Sequence, residues 1–243
     1  MNVLKHVTES LGGVWRLFFP PVCPACGGAL EPGSGVLCTS CRWELPLTGY
    51  WHEVDNPVVR RFWGLVPVVN ACSFFFFSDG GGGRRVIHRF KYYGGWRLAL
   101  DMGRWFGAEL ASSGLYDDVE AVVPVPLHPF KKLRRGYNQC DYLAEGIAEA
   151  LGVEVCRGAV RRRVDNRSQA RRHRLERWDN VAGIFAVPRP QRLAGCHILL
   201  VDDVLTTGAT ICSCAEALLA AVPDCRLSVA TLAVSRRGLG QKD

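Results

Sequence analysis

The sequence predicts an α/β fold: an open, mostly parallel sheet with flanking helices, preceded by a small N-terminal cysteine module. Three observations carry this. Strand-like runs such as Ala121–Leu127 and Ile198–Val201 are almost continuously apolar, as strands covered on both faces are. Segments of helical periodicity alternate with these runs in β-α-β order, the pattern that builds parallel sheets. Four cysteines form two Cys-x-x-Cys pairs between residues 23 and 41.

The chain has 243 residues, 48% of them hydrophobic, enough for one substantial core and one small appendage. The organisation expected is a module over residues 1–49, holding an N-terminal helix and the four cysteines, followed by an α/β domain over 50–243. Met1–Leu17 lacks the apolar stretch and small-residue cleavage site of a secretory leader. Apolar runs such as Phe74–Phe77 are far too short to span a bilayer. A cytoplasmic location is therefore expected. There are eleven cysteines, and those outside the two pairs are scattered through apolar segments, which favours reduced thiols and one metal site over a disulfide framework.

Cys23, Cys26, Cys38 and Cys41 have the spacing of a structural zinc ribbon. Four thiolates close a tetrahedral shell and leave no position open for chemistry. So short a segment has little core of its own, and zinc binding, on the order of 10–16 kcal/mol in small fingers, would supply its folding energy.

Residues 1–19 read as a short amphipathic helix, with Leu4, Val7, Leu11, Val14 and Trp15 at helical spacing. Pro46–Pro57 reads as a linker. Leu65–Phe77 is strand-rich, and Pro67 favours an edge position. Arg84–Tyr93 and Trp96–Leu110 read as helices, the second with Ala99, Met102, Trp105, Phe106 and Leu110 on its core face. Ala121–Leu127 reads as the first strand of the parallel sheet, running into a basic loop over 131–136. Asn138 can cap a helix carrying Leu143, Ile147, Ala150 and Leu151 inward. Val153–Cys156 is a short strand and Leu227–Val234 the last one.

The most informative stretch is Ile198–Thr210. Its apolar strand delivers Asp202 and Asp203 to the carboxyl end of a sheet strand, where open α/β sheets bind ligands. Thr206, Thr207, Gly208, Ala209 and Thr210 then open a helix, offering hydroxyls and backbone N–H groups to an anion. Carboxylates beside an anion loop suit a ligand that carries sugar hydroxyls next to a phosphate. A P-loop is excluded because no Gly-Lys pair occurs, and the glycine run Gly80–Gly83 leads into Arg84-Arg85 rather than a dinucleotide fingerprint. The net charge is +7, and the nine arginines between Arg157 and Arg177 set against Asp165 and Glu176 sum to the same excess. Their partner should be strongly anionic, a pyrophosphate ester or single-stranded nucleic acid.

The stretch VDDVLTTGAT resembles the signature for PRPP (5-phosphoribosyl 1-pyrophosphate) of type I phosphoribosyltransferases. Together with the cysteine pairs, Phe90–Gly94 (FKYYG), Pro124–Leu127 (PVPL), Arg134–Gln139 (RRGYNQ), and Ser168-Gln169 followed by Arg177 and Asn180, it makes the chain similar to the ComF family over nearly its full length. That family comprises competence-associated proteins with a zinc ribbon and a type I phosphoribosyltransferase domain. Tyr137 stands where the family more often has Phe, and Arg167 where Thr commonly precedes Ser-Gln or Thr-Gln.

The resemblance implies a role in DNA uptake and natural transformation, bringing imported single strands into the cytoplasm, with PRPP or a related phosphoribosyl ligand bound together with Mg²⁺. It places Asp202 and Asp203 on the ribose hydroxyls as the catalytic pair and Thr206–Thr210 on the 5′-phosphate. The loop after Val125 and Pro126, with Lys131 and Arg135, would meet the pyrophosphate. Arg167, Ser168, Gln169 and Arg177 would lie in a loop closing over the site. Single-stranded DNA and proteins of the competence machinery are the macromolecular partners it suggests. Three readings stay open: a DNA-uptake factor, a small-molecule phosphoribosyltransferase of nucleotide salvage with a nucleobase or amine acceptor, and a zinc-ribbon adaptor for nucleic acid or protein with a PRPP-sensing site.

Overall fold

A computed structural model describes residues 22–31, 33, 35–78, 82–91, 95–162 and 184–240. The expected N-terminal helix lies outside the described residues. The sheet has five strands, all parallel, in the order β1-β7-β6-β2-β3. These are β1 (Ala71–Phe76), β2 (Ala121–Pro124), β3 (Glu154–Val155), β6 (His197–Leu205) and β7 (Arg226–Val234). Two short strands, β4 (Arg161–Arg162) and β5 (Phe185–Ala186), pair antiparallel in a separate ribbon. The open parallel α/β sheet expected from the apolar runs is thus observed.

Strand β6 lies at the centre, bonded to β2 on one side and β7 on the other. Alternation along it feeds two cores. Leu199 and Val201 pack with Phe74, Phe90, Met102, Phe106, Leu143 and Ile147. Ile198 and Leu200 pack with Val58, Phe62, Ile211, Leu218 and Val229 on the other face. Because both faces are covered, polar alternation would have buried unpaired groups, and the sequence shows none.

Helices α4 (Trp96–Ser113) and α6 (Gln139–Leu151) lie against the first face, α7 (Ala209–Ala221) against the second. The α4–α6 contact is backbone-close. A Cβ on Gly146 would stand 2.1 Å from the Leu100 carbonyl oxygen, and one on Gly103 would stand 2.4 Å from that of Leu143. Small residues were needed there, and helical periodicity does not reveal it.

Several sequence expectations are revised. Pro46–Pro57 is no free linker. Phe76 N–H donates to Pro46 O at 2.8 Å, Thr48 N–H donates to Phe74 O at 3.0 Å, and Trp51 is buried against Phe74 and Phe106. Asn56 caps the short helix α2 (Pro57–Arg60) through its Oδ1, while its amide donates to the carbonyls of Tyr50, Glu53 and Ala71. The strand at Ala121 is second in chain order, because β1 precedes it. β1 does take an edge of the sheet. The basic stretch after β2 is a helix, α5 (Pro129–Arg135), ended by Gly136 at φ 83°. Asn138 precedes α6 as expected, yet its amide donates to Val125 O and Asp141 Oδ1 instead of accepting from the helix.

The close α4–α6 approach makes a prediction. Gly146→Ala forces backbone apart on both helices and should cost on the order of 3 kcal/mol, lowering the melting temperature by roughly 6–12 °C. Gly82→Ala, where the nearest atom to an added Cβ is the tip of Arg85 at 4.0 Å, should leave it unchanged. Thermal unfolding followed by circular dichroism compares the two.

Candidate functional site

The site is built at the carboxyl end of β6. The strand does not stop before the carboxylates as the apolar run suggests. Pairing with β7 continues through Asp202↔Thr231 to Leu205↔Val234, so both carboxylates are carried by a rigid central strand. Gly208, at φ 82°, then turns the chain into α7, and Cys212 N–H donates back to the Gly208 carbonyl at 2.9 Å. Only a residue free of Cβ strain takes that left-handed turn comfortably. Thr206, Thr207, Ala209 and Thr210 are exposed around it, and Thr207 Oγ1 accepts from Ala209 N–H at 3.4 Å. Hydroxyls, N–H groups and the positive end of a helix therefore meet at one turn, as an anion requires.

Asp202 and Asp203 have different surroundings. Asp202 Oδ1 accepts from the Asp203 backbone N–H at 2.8 Å and faces the buried Cys140 thiol at 3.5 Å. Burial, reinforced by the neighbouring Asp203 charge, pushes the Asp202 carboxyl up to about 7, against the hydrogen bonds that favour its ionised form. Asp203 is instead paired with the Lys91 ammonium, Oδ2 to Nζ 3.0 Å. Lys91 ends helix α3 (Gly82–Lys91), and its backbone is tied to the far side of the site. Gln139 Nε2 donates to Lys91 O at 3.2 Å and Tyr137 OH to Phe90 O at 3.3 Å.

The remaining sequence-predicted residues are partly gathered here. Val125 is buried beside β6, its N–H donating to Val201 O at 2.8 Å, and Pro126 follows half-buried. Lys131 lies on α5, and the half-buried Arg135 ends that helix. Arg167, Ser168, Gln169 and Arg177 lie outside the described residues. Two residues were missed by sequence reasoning. Lys91 sits inside the FKYYG motif, but nothing in its spacing foretold a partner more than a hundred residues away. Arg61, exposed at the end of α2, brings its Cγ to 3.9 Å from where a Gly208 Cβ would stand, placing a cation beside the anion loop.

The four cysteines do converge: their sulfur atoms lie within 4.8 Å of one another. The first pair sits on a knuckle in which Cys23 N–H donates to Gly28 O and Gly27 N–H to Cys23 O. Cys38 precedes the short helix α1 (Thr39–Trp43), which contains Cys41. Backbone N–H groups of Cys38 and Gly28 point at the Cys23 and Cys26 sulfurs at 3.5 and 3.4 Å. Burial opposes ionisation of Cys23, but backbone hydrogen bonds outweigh it and bring the thiol down to about 6. Four convergent sulfurs with N–H donors suit thiolates around a tetrahedral zinc. The knuckle is braced from outside: Arg85 Nε donates to Ala25 O, and the Arg42 guanidinium lies 4.2 Å over the Trp105 ring.

No family model matches the chain. It is 33% identical over 93 residues to Competence protein F of Haemophilus influenzae, covering 38% of this chain and 41% of that protein. It is 31% identical over 141 residues to DNA utilization protein YhgH of Salmonella typhimurium, covering 55% of this chain and 60% of that protein. To Competence protein ComFC of Bacillus subtilis it is 25% identical over 213 residues, 84% of this chain and 82% of that protein. The matches to the first two relatives thus span from two fifths to three fifths of their length. Among the described residues no helix is long and apolar enough to cross a membrane.

Two expected outcomes follow from the geometry. Substituting Cys41→Ser should lower bound zinc from about one per chain and lower the melting temperature; metal content and thermal unfolding check it. Between about pH 4 and about pH 7 Asp202 keeps in the fold a proton that the unfolded chain, with an aspartate near 3.9, has released. Its contribution to stability is therefore complete below about pH 4 and is lost as pH rises through about 7. Asp202→Asn should flatten that decline and stabilise the protein at pH 8 by on the order of a few kcal/mol. Urea unfolding across pH 4–8 measures it.

Proposed function

We propose, for a chain that belongs to the ComF family, that the carboxyl end of β6 binds PRPP or a related phosphoribosyl ligand and that the protein acts in DNA uptake. The observation that carries the ligand reading is the placement of two carboxylates on the central strand directly before a glycine-led anion loop. A ribose diol offers two hydroxyl donors to Asp202 and Asp203, and the 5′-phosphate falls to Thr206–Thr210 with Arg61 alongside. The 1-pyrophosphate then points toward the segment after Val125-Pro126, where Arg135 stands. Mg²⁺, which prefers oxygen ligands and keeps waters, would neutralise pyrophosphate charge beside the carboxylate pair. The names of the relatives support the second half of the proposal: competence in Haemophilus and Bacillus, DNA utilization in Salmonella.

If the site turns over, the C1–O bond breaks with its electron pair leaving on pyrophosphate. The carboxylates then lie near a ribose ring that gains positive charge. Preorganised cations such as Arg135 would favour the departing anion electrostatically. The acceptor that closes the reaction is named by no residue in the described chain.

Titration calorimetry of the full, zinc-loaded chain with PRPP and Mg²⁺ tests the ligand. Saturable heat is expected, weakened by about tenfold or more when both Asp202→Asn and Asp203→Asn remove charged acceptors. No heat from the wild-type chain would overturn the reading. Expression in a Haemophilus influenzae strain lacking Competence protein F tests the process: the wild-type chain should restore transformation and the double variant should not.

A further inference from the structure

Among the described residues Lys91 is the cation seen to bond the carboxylate pair, and three observations define what it can do. Its ammonium reaches Asp203 at 3.0 Å, and the two side chains keep 25% and 19% of their surface exposed. The pair is therefore reachable by solvent and by a competing hydrogen-bond donor, unlike a sealed buried bridge. The Lys91 backbone, by contrast, is fixed. Phe90 beside it is fully buried, and its carbonyl and that of Lys91 accept from Tyr137 and Gln139. A fixed root with a flexible four-carbon stem lets the charge swing while the helix stays in place. Finally, Tyr137 and Gln139 follow Arg135 in the same segment, so one stretch of chain positions Arg135 and anchors Lys91.

We infer that Lys91 is an exchange cation of the proposed site: a ribose hydroxyl takes its place on Asp203, and the displaced ammonium turns to the pyrophosphate. This rests on the phosphoribosyl reading of the preceding section and adds to it a residue and a selectivity. The exchange replaces one ion pair by another and leaves every group with a hydrogen-bond partner. Asp203 trades an ammonium for a hydroxyl donor, and Lys91 trades a carboxylate for a phosphoryl oxygen. Through this residue the site discriminates ligands with a pyrophosphate from those without one.

The test compares PRPP with ribose 5-phosphate, each with Mg²⁺, by calorimetry on the full zinc-loaded wild-type chain and on Lys91→Gln and Lys91→Arg. Loss of a charge-assisted contact should weaken PRPP binding to Lys91→Gln by about tenfold or more. Ribose 5-phosphate, which has no pyrophosphate for Lys91 to meet, should bind that variant as well as or better than wild type. Lys91→Arg should retain most of the PRPP affinity. Equal weakening of both ligands in Lys91→Gln would make the ion pair merely structural and overturn the inference. So would unchanged PRPP binding. Wild-type protein that binds neither ligand would instead remove the phosphoribosyl reading itself, and this inference with it.

Discussion

The structure depends on one strand being used to its full length. Up to Val201 β6 is bonded on both edges and covered on both faces, and beyond it β7 carries the strand on alone. Because pairing with β7 runs on to Leu205, Asp202 and Asp203 are held by sheet geometry rather than by a loop. Both carboxylates keep part of their surface, yet burial and the neighbouring Asp203 charge still push the Asp202 carboxyl up. The fold would be easier to stabilise with apolar residues at both positions. Retaining two acids there, beside a turn lined with donors, is the kind of local cost found where a site has to be preorganised.

Much of this architecture is legible in the sequence, and the reason is physical. A strand buried on both faces must be apolar throughout, so Ile198–Val201 announces itself, as does the start of β2. Gly208 is readable because a strand-to-helix turn with donors pointing outward asks for a residue that tolerates positive φ. What stays illegible is long-range pairing of polar groups. Lys91 and Asp203 are more than a hundred residues apart, and the link depends on α3 ending beside β6, which no local pattern encodes. Arg61 escapes for the same reason. The basic stretch after β2 reads as a loop because Lys and Arg fit loops and exposed helices alike. The cap geometry of His128 and Gly136 decides for helix, and capping by a histidine ring is a weak sequence signal.

The N-terminal cysteines illustrate a second limit. Spacing alone identifies the metal-binding pattern, yet it suggests an appendage on a linker. In the fold, Cys23, Ala25, Leu37 and Leu45 pack into the same apolar cluster as Phe74 and Phe106. The segment from Pro46 adds backbone bonds along the free edge of β1. The cysteine cluster therefore belongs to a wall of the larger core as well as to its own knuckle. A loss of metal would be felt in the packing of α4, through Arg42 and Trp105, and at α3 through Arg85. α3 is also the helix that ends in Lys91, so the cysteine cluster and the carboxylate pair lean on one ten-residue element.

Charge balance decides whether so acidic a site can receive an anion. Burial and the Asp203 charge push the Asp202 carboxyl up, toward its neutral form, and Lys91 pairs with Asp203. The negative charge of the carboxylate pair is thereby reduced where it stands. The Arg61 stem lies beside the anion loop, which opens into the positive end of α7. A helix end, hydroxyls and carboxylate acceptors gathered at one strand end suit the phosphoribosyl ligand proposed above, which carries hydroxyls and phosphates. A site built from two ionised, unpaired aspartates would repel it.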